Sequence, residues 1–243
     1  HAMGETQVDM LIGRLKEQSG VEAKLVPVRI PYRETITKQA EAQGRHKKQT
    51  GGAGQFGDCW LRLAPIPGEG YEFVDEIKGG AIPNGLIPAV DKGVREAMEE
   101  GFLAGYPMVD IKCTVFDGSY HSVDSNEMAF KTAAIMAFKK GFMEASPVLL
   151  EPISSLKVIV PDKYTGDIMG DLNKRRGRVL GMNPVEGGKQ EIIADVPMSS
   201  LFGYNTDLRS MTGGSGTYEY EFARYEQAPS DVQEKEVAAR AEA

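Results

Sequence analysis

The sequence predicts an α+β protein of more than one domain, and three observations carry that reading. From residue 151 onward, strand-like and helix-like periodicities follow one another as βαββαβ, a self-contained unit. Before residue 27 there is one helical pattern and one strand-like run, too little to enclose a core. The length of 243 residues holds one large or two ordinary domains, and a composition of 41% hydrophobic and 26% charged residues builds cores without staples.

Composition also narrows the function classes. No apolar run reaches the length of a membrane-spanning helix. The opening residues 1–3, His-Ala-Met, have neither the charged start nor the apolar core of a signal peptide and read as an expression remnant. Cys59 and Cys113 lie in strand-like runs without CxxC spacing, which fits buried thiols in a reducing cytoplasm. A net charge of -7 argues against indiscriminate nucleic-acid binding while leaving room for a local basic surface.

In order, residues 4–19 carry Val8, Leu11, Ile12 and Leu15 at helical spacing, Gly20 stops the helix, and residues 21–26 read as a strand. A linker bracketed by Pro27 and Pro31 leads to a strand over residues 32–39. Residues 43–58 read as a basic, glycine-rich loop, with strands expected at 59–63 and 73–77. The helix expected over 86–100 buries Ile87, Val90, Val94, Ala97 and Met98 and closes at Gly101. The alternation of Val109, Ile111, Cys113 and Val115 predicts the next strand, ended by a turn at Asp117-Gly118. Asp124 and Glu127 form a capping-box-like pair before a helix over 125–140, with Met128, Ile135, Phe138 and Phe142 on one face.

Beyond a boundary at Glu151-Pro152, strands are expected at 156–160, 178–182, 189–196 and 217–224, with helices at 165–176 and 199–211. This is the ferredoxin-like order. The first of those helices ends in Lys174, Arg175 and Arg176 with Gly177 as its cap. Residues 227–243 read as a charged tail, frayed helix or disorder.

No catalytic constellation is visible. Gly52-Ala53-Gly54-Gln55-Phe56-Gly57 matches G-x-G-x-x-G, but a basic loop precedes it and a strand follows. The dinucleotide fingerprint needs a strand before and a helix after, so a nucleotide-binding enzyme is the disfavoured alternative. The sequence has no P-loop, no nucleophile elbow and no Cys/His spacing for zinc. What it does offer is cations, Arg45, Lys47 and Lys48, beside glycines that expose backbone N–H groups, which together suit a phosphate backbone. Residues 116–127, FDGSYHSVDSNE, add Tyr120 and His121 on a short connection, able to stack on or hydrogen-bond an unpaired base. The flanking strands can bring both tips to one end of a domain.

Taken together, YRETI, QTGGAGQFGD, GGAIPNGLIPAVDKGV, FDGSYHSVDSNEMAFK, PVLLEPI, TGDIMGDLNKRRGRVLGM and PMSSLFGYNTDLRSMTGGSGTY resemble bacterial translation elongation factor G. The resemblance runs in order from residue 4 to about residue 230 and covers only the C-terminal part of that factor. It implies residues 4–26 as the end of domain III, a ferredoxin-like domain, and 27–150 as domain IV, with a ribosomal-protein-S5-domain-2-like fold and a left-handed β-α-β crossover. It further implies 151–226 as domain V, which is ferredoxin-like.

The resemblance also implies a ribosome-binding role in tRNA–mRNA translocation, with the tip of domain IV entering the decoding region. The RNA-contacting tip would comprise Lys47, Lys48, Gln49, Gly51, Gly52, Gly54, Gln55, Tyr120, His121 and Ser122. Domain V would contact rRNA through Lys174, Arg175, Arg176 and Arg178. Expected partners are the 70S ribosome, its 16S and 23S rRNA and stalk-base proteins, in the cytoplasm, with the fragment a monomer. GTP and Mg2+ are expected only in a G domain outside this sequence. No catalytic residue, metal or cofactor is expected within it. One position departs from the family: the tip motif normally reads GGRGQYG or GGRGQFG, and here Ala53 replaces the arginine. That substitution keeps a ribosome-protection or ribosome-recycling paralogue as the close alternative.

Overall fold

The structure is a computed structural model and describes residues 5–23, 29–49, 51–52 and 54–242. These form two compact units: residues 32–151 with the C-terminal segment from 227, and residues 152–226 with the described part of 1–31.

The first helix, α1 (Glu5–Ser19), leaves Leu11 and Leu15 exposed. Residues 21–23 form no strand, and the rest of the run expected as a strand, 24–26, lies outside the described residues. The partial domain expected there therefore shows only its helix.

The S5-like unit begins with the short β1 (Arg33–Ile36), followed by a hairpin of β2 (Ala40–Lys48) and β3 (Gln55–Pro65). β4 (Tyr71–Asp75), α2 (Ile87–Glu100) and β5 (Ile111–Ser119) make a parallel crossover, since β4 pairs parallel with β5. The sheet order is β2-β3-β5-β4, and α3 (Glu127–Glu144) packs beside α2 and across β2 and β3. The α2 stripe is buried as its spacing predicts. On α3 the buried face is largely alanine: Ala129, Ala133 and Ala137 in one row beside Phe130, Ala134, Phe138 and Phe142, while Met128 is exposed. Such small residues let the helix approach the sheet closely. Burial pushes the Cys59 thiol up to about 12, assisted by Asp58, so this cysteine carries no thiolate at neutral pH.

Three local expectations fail here for physical reasons. Gln43 to Lys48 are strand, so the connection expected over 43–58 shrinks to the residues between β2 and β3. Asp117-Gly118 makes no turn, because β5 runs on to pair Asp117 with Trp60 and Gly118 with Cys59 past a bulge. The cap of α3 is Asn126, whose side chain accepts from Ala129 N at 2.8 Å, rather than Asp124.

β6 (Pro147–Pro161) pairs its first residues with β1 and those from Ile153 onward with β8 (Lys189–Pro197). With α4 (Thr165–Lys174), β7 (Arg178–Val185), α5 (Tyr204–Thr212) and β9 (Thr217–Gln227) it completes the ferredoxin-like unit. The strand order β9-β6-β8-β7 is the one that βαββαβ connectivity gives when each helix returns the chain across the sheet. Leu156, Val158, Val160, Ile192, Ala194 and Val196 meet Ile168, Leu172, Tyr204 and Leu208 in its core. The helix expected over 199–211 is broken at Gly203, whose φ of 72° only glycine adopts at little cost.

The C-terminal segment is α6 (Ser230–Ala241), a docked helix rather than a frayed tail. Val232, Gln233, Glu236 and Val237 form its half-buried face. Gln233 accepts from Leu149 N at 3.0 Å, Tyr106 Oη donates to Glu236 at 2.7 Å, and Arg240 donates to Gly101 O at 3.1 Å.

Candidate nucleic-acid interface

The β2–β3 hairpin and the connection from β5 to α3 meet at one end of the S5-like unit. The last pair of the β3–β5 ladder is Asp58 with Ser119. Past that point the connection takes over the role of the strand. Phe56 N donates to Asp124 O at 2.9 Å, and Phe56 O accepts from Ser125 Oγ at 2.8 Å. Behind this junction, Asp58 accepts from Gln43 Nε2 at 2.8 Å and from Ser119 Oγ at 2.6 Å, tying β2, β3 and β5 together.

Two glycines explain how the hairpin comes so close to α3. A Cβ on Gly57 would stand 2.4 Å from Ala129 O, and one on Gly44 would stand 1.9 Å from Ala133 O. Gly57, read above as part of a phosphate-binding loop, is therefore a buried strand residue under a helix. The G-x-G-x-x-G match lies across an antiparallel hairpin, not at a strand-to-helix turn.

The candidate tip residues divide by exposure. Lys47, Lys48, Gln49, Gly51 and Gly52 are exposed, as are His121 and Ser122, and Tyr120 retains 50% of its surface. Gly54 and Gln55 are half-buried; Gln55 Oε1 lies 2.9 Å from His46 Nε2, and a Cβ on Gly54 would meet the Asp124 carboxyl. Ala53 lies outside the described residues. Lys47 and Lys48 make no ion pair among the described residues, so their charges face solvent. Val123, 81% exposed, adds an apolar surface that the sequence reading missed.

His121 is ordered by its own loop. Its Nδ1 lies 3.3 Å from both Val123 N and Asp124 N and accepts from them. Asp124 Oδ2 also lies 3.5 Å from Nδ1, a contact that becomes an ion pair only when the ring is protonated.

In the ferredoxin-like unit, Arg175 is committed internally. It donates to Asp171 at 2.8 Å, to Ser200 O at 2.6 Å and to Asp207, and it stacks over the Tyr204 ring. Arg178 is exposed but pairs with Asp195 at 3.1 Å. Lys174 is exposed on the last turn of α4. The left-handed residue that ends this helix is Arg176, with φ 58°, not Gly177. Gly177 is needed for space instead, since a Cβ there would stand 2.8 Å from Leu172 O.

Among the described residues no cluster of His, Cys, Asp and Glu is arranged to hold a metal ion, and no helix is long and apolar enough to cross a membrane.

An S5-like unit with a two-loop tip, followed in sequence by a ferredoxin-like unit, is the architecture expected for the C-terminal domains of a translation elongation factor. A crystal structure of a protein from Thermus thermophilus matches this chain with a TM-score of 0.87 and 45% identity, over 99% of this chain and 36% of that one. Residues 28–146 match "Elongation factor G, domain IV" and residues 148–236 match "Elongation factor G C-terminus". The chain belongs to the elongation factor G family. It spans about a third of the length of the Thermus protein.

Proposed function

We propose that this chain is the ribosome-engaging arm of a translocase, its tip entering the decoding region while tRNA and mRNA move. The observation that supports this reading most is the joining of two loops, one carrying Lys47 and Lys48 and the other Tyr120 and His121, into one hydrogen-bonded tip. Cations suit the phosphate backbone, while an exposed aromatic ring and an imidazole suit unpaired bases. The tip occupies space behind the moving tRNA and opposes its return. It makes and breaks no bonds. Domain V contacts rRNA near the stalk base, with Lys174, Arg176 and Arg178 its exposed candidate cations. The parent protein acts in the cytoplasm, where GTP and Mg2+ belong to a G domain outside this sequence. Replacement of the tip arginine by Ala53 favours one second reading, a ribosome-protection or ribosome-recycling paralogue.

The test is co-sedimentation with 70S ribosomes across a salt series, comparing the parent with a Lys47→Ala/Lys48→Ala/His121→Ala variant. Each phosphate contact contributes roughly 0.7 to 0.9 to the slope of log affinity against log salt. Loss of two lysine contacts should therefore flatten the slope by about 1.4 to 1.8. Binding that is tight and unaffected by the triple change would move the interface away from the tip. In the full-length factor, absence of translocation by the unsubstituted protein would favour the protection or recycling reading, and normal translocation with a triple-alanine tip would remove these three side chains from the translocation step.

A further inference from the structure

Ser125 stands where the two tip loops meet, and its hydroxyl is used in both directions. Oγ donates to Phe56 O on the hairpin at 2.8 Å and accepts from His121 N at 2.9 Å, while Ser125 N donates to His121 O at 3.1 Å. His121 and Ser125 are thus bound to each other twice, and that closed ring is fixed to β3 through Phe56. Within the ring the backbone turns so that Val123 N and Asp124 N both point at the Nδ1 of His121. The inward nitrogen accepts from both amides, with Asp124 Oδ2 3.5 Å away. Nε2 has no partner among the described residues, and the side chain is 55% exposed.

We propose that Ser125 is a positioning residue: it joins the two loops and fixes the His121 imidazole as the Nε2–H tautomer, with that N–H facing outward. The tip then offers a hydrogen-bond donor, so the RNA group it takes is an acceptor, a phosphate or 2′-hydroxyl oxygen or a base acceptor such as N7. This proposal rests on the tip being the RNA-facing surface. A hydroxyl suits position 125 because one short side chain then supplies both a donor and an acceptor from the same atom. Alanine would leave both Phe56 O and His121 N without their partner. Threonine would keep both bonds.

The first experiment is nitrogen NMR of the imidazole in the protein itself, at alkaline pH where the ring is neutral. The parent and Ser125→Thr should show His121 as a single tautomer protonated on Nε2. Ser125→Ala should show a mixture of both tautomers. A structural role alone would lower stability, read by thermal unfolding, without altering the tautomer of the folded state. A mixed tautomer in the parent, or an unaltered one in Ser125→Ala, overturns the positioning role and leaves the RNA-facing reading untouched.

The second experiment is ribosome co-sedimentation of the same three proteins. Loss of one oriented hydrogen bond should weaken binding of Ser125→Ala roughly three- to tenfold, with Ser125→Thr restored. If the tautomer changes while ribosome affinity does not, the outward donor is not used on RNA. The RNA-facing part of the proposal then falls, although the positioning chemistry stands.

Discussion

Replacing Glu34 should destabilise the S5-like unit more than any charge change on its surface. Glu34 on β1 is 0% exposed, and its carboxylate receives four backbone N–H groups from the loop after α2. Oε2 accepts from Phe102 and Leu103, each at 2.9 Å, and Oε1 from Ala104 at 2.7 Å and Tyr106 at 3.0 Å. Four aligned amide dipoles thus stabilise a buried negative charge. Glu34→Gln keeps the shape but turns an NH2 group against two of those donors. An unsatisfied buried donor costs about 1 to 3 kcal/mol, and the two share one loop, so their costs are not additive. A loss of about 3 kcal/mol is expected. Trp60, the single tryptophan, lies on β3 of the same unit and reports its unfolding. With a urea m-value of roughly 1 to 3 kcal/mol/M, the Trp60 midpoint should fall by about 1 to 3 M. Glu34→Ala should cost at least as much, tempered only by water entering the gap. A parent-like midpoint for Glu34→Gln would refute the account, because the loop would then be held by packing and by α6 rather than by the carboxylate.

Two further outcomes follow from the packing and the charges. Gly44→Ala should cost about 3 kcal/mol or more, the upper range for overpacking, because the new methyl meets backbone atoms of α3 that cannot rotate aside; a Trp60 midpoint near the parent's would show that α3 can shift freely. The second concerns pH. Burial alone would raise the Asp195 carboxyl, but hydrogen bonds from Arg224 at 2.6 Å and Arg178 at 3.1 Å outweigh it and hold it below the usual carboxylate range. A depressed folded-state pKa adds stability above the unfolded value of about 3.9, which is lost as pH falls through the folded one. Near-ultraviolet circular dichroism of the tyrosines should show Asp195→Asn flattening the acid limb of the unfolding profile, and matching acid limbs would remove Asp195 as a source of that loss.

What the sequence made legible was what repeats at a fixed period. The α2 stripe and the βαββαβ order were readable because burial there is set by neighbours three or four residues away, or two along a strand. Glycine was the main source of error. A glycine exposing its N–H to a ligand and one making room for a helix look alike in sequence, and only α3, some seventy residues downstream, distinguishes Gly57. Asp117-Gly118 and Asp124 were misread for the same kind of reason. Their turn and cap chemistry is sound locally, but pairing with β3 extends β5, and the junction at Phe56 moves the helix start to Asn126. The role of α6 was hidden because its half-buried face is mixed, Val232 and Val237 beside Gln233 and Glu236, and its anchors at Tyr106 and Gly101 are far away in sequence.

With Gly57 packed under α3 and Arg175 bonded internally, the proposed RNA-facing groups that stay exposed include the cations Lys47, Lys48 and Lys174 and, on the second loop, Tyr120, His121 and Ser122. The whole chain carries -7, so under the proposed function these cations would act on a polyanion from an acidic protein. At physiological ionic strength, charges more than about 8 Å apart are largely screened, and the tip lysines then act almost independently of the remaining carboxylates. At about 0.01 M salt the screening length grows to roughly 30 Å, and the acidic remainder opposes approach. Log affinity against log salt should therefore bend toward a plateau at low salt rather than stay linear. A patch that bound RNA through a uniformly basic domain would show no such bend. The curvature thus separates a small tip on an acidic scaffold from a generally cationic surface, without altering a residue.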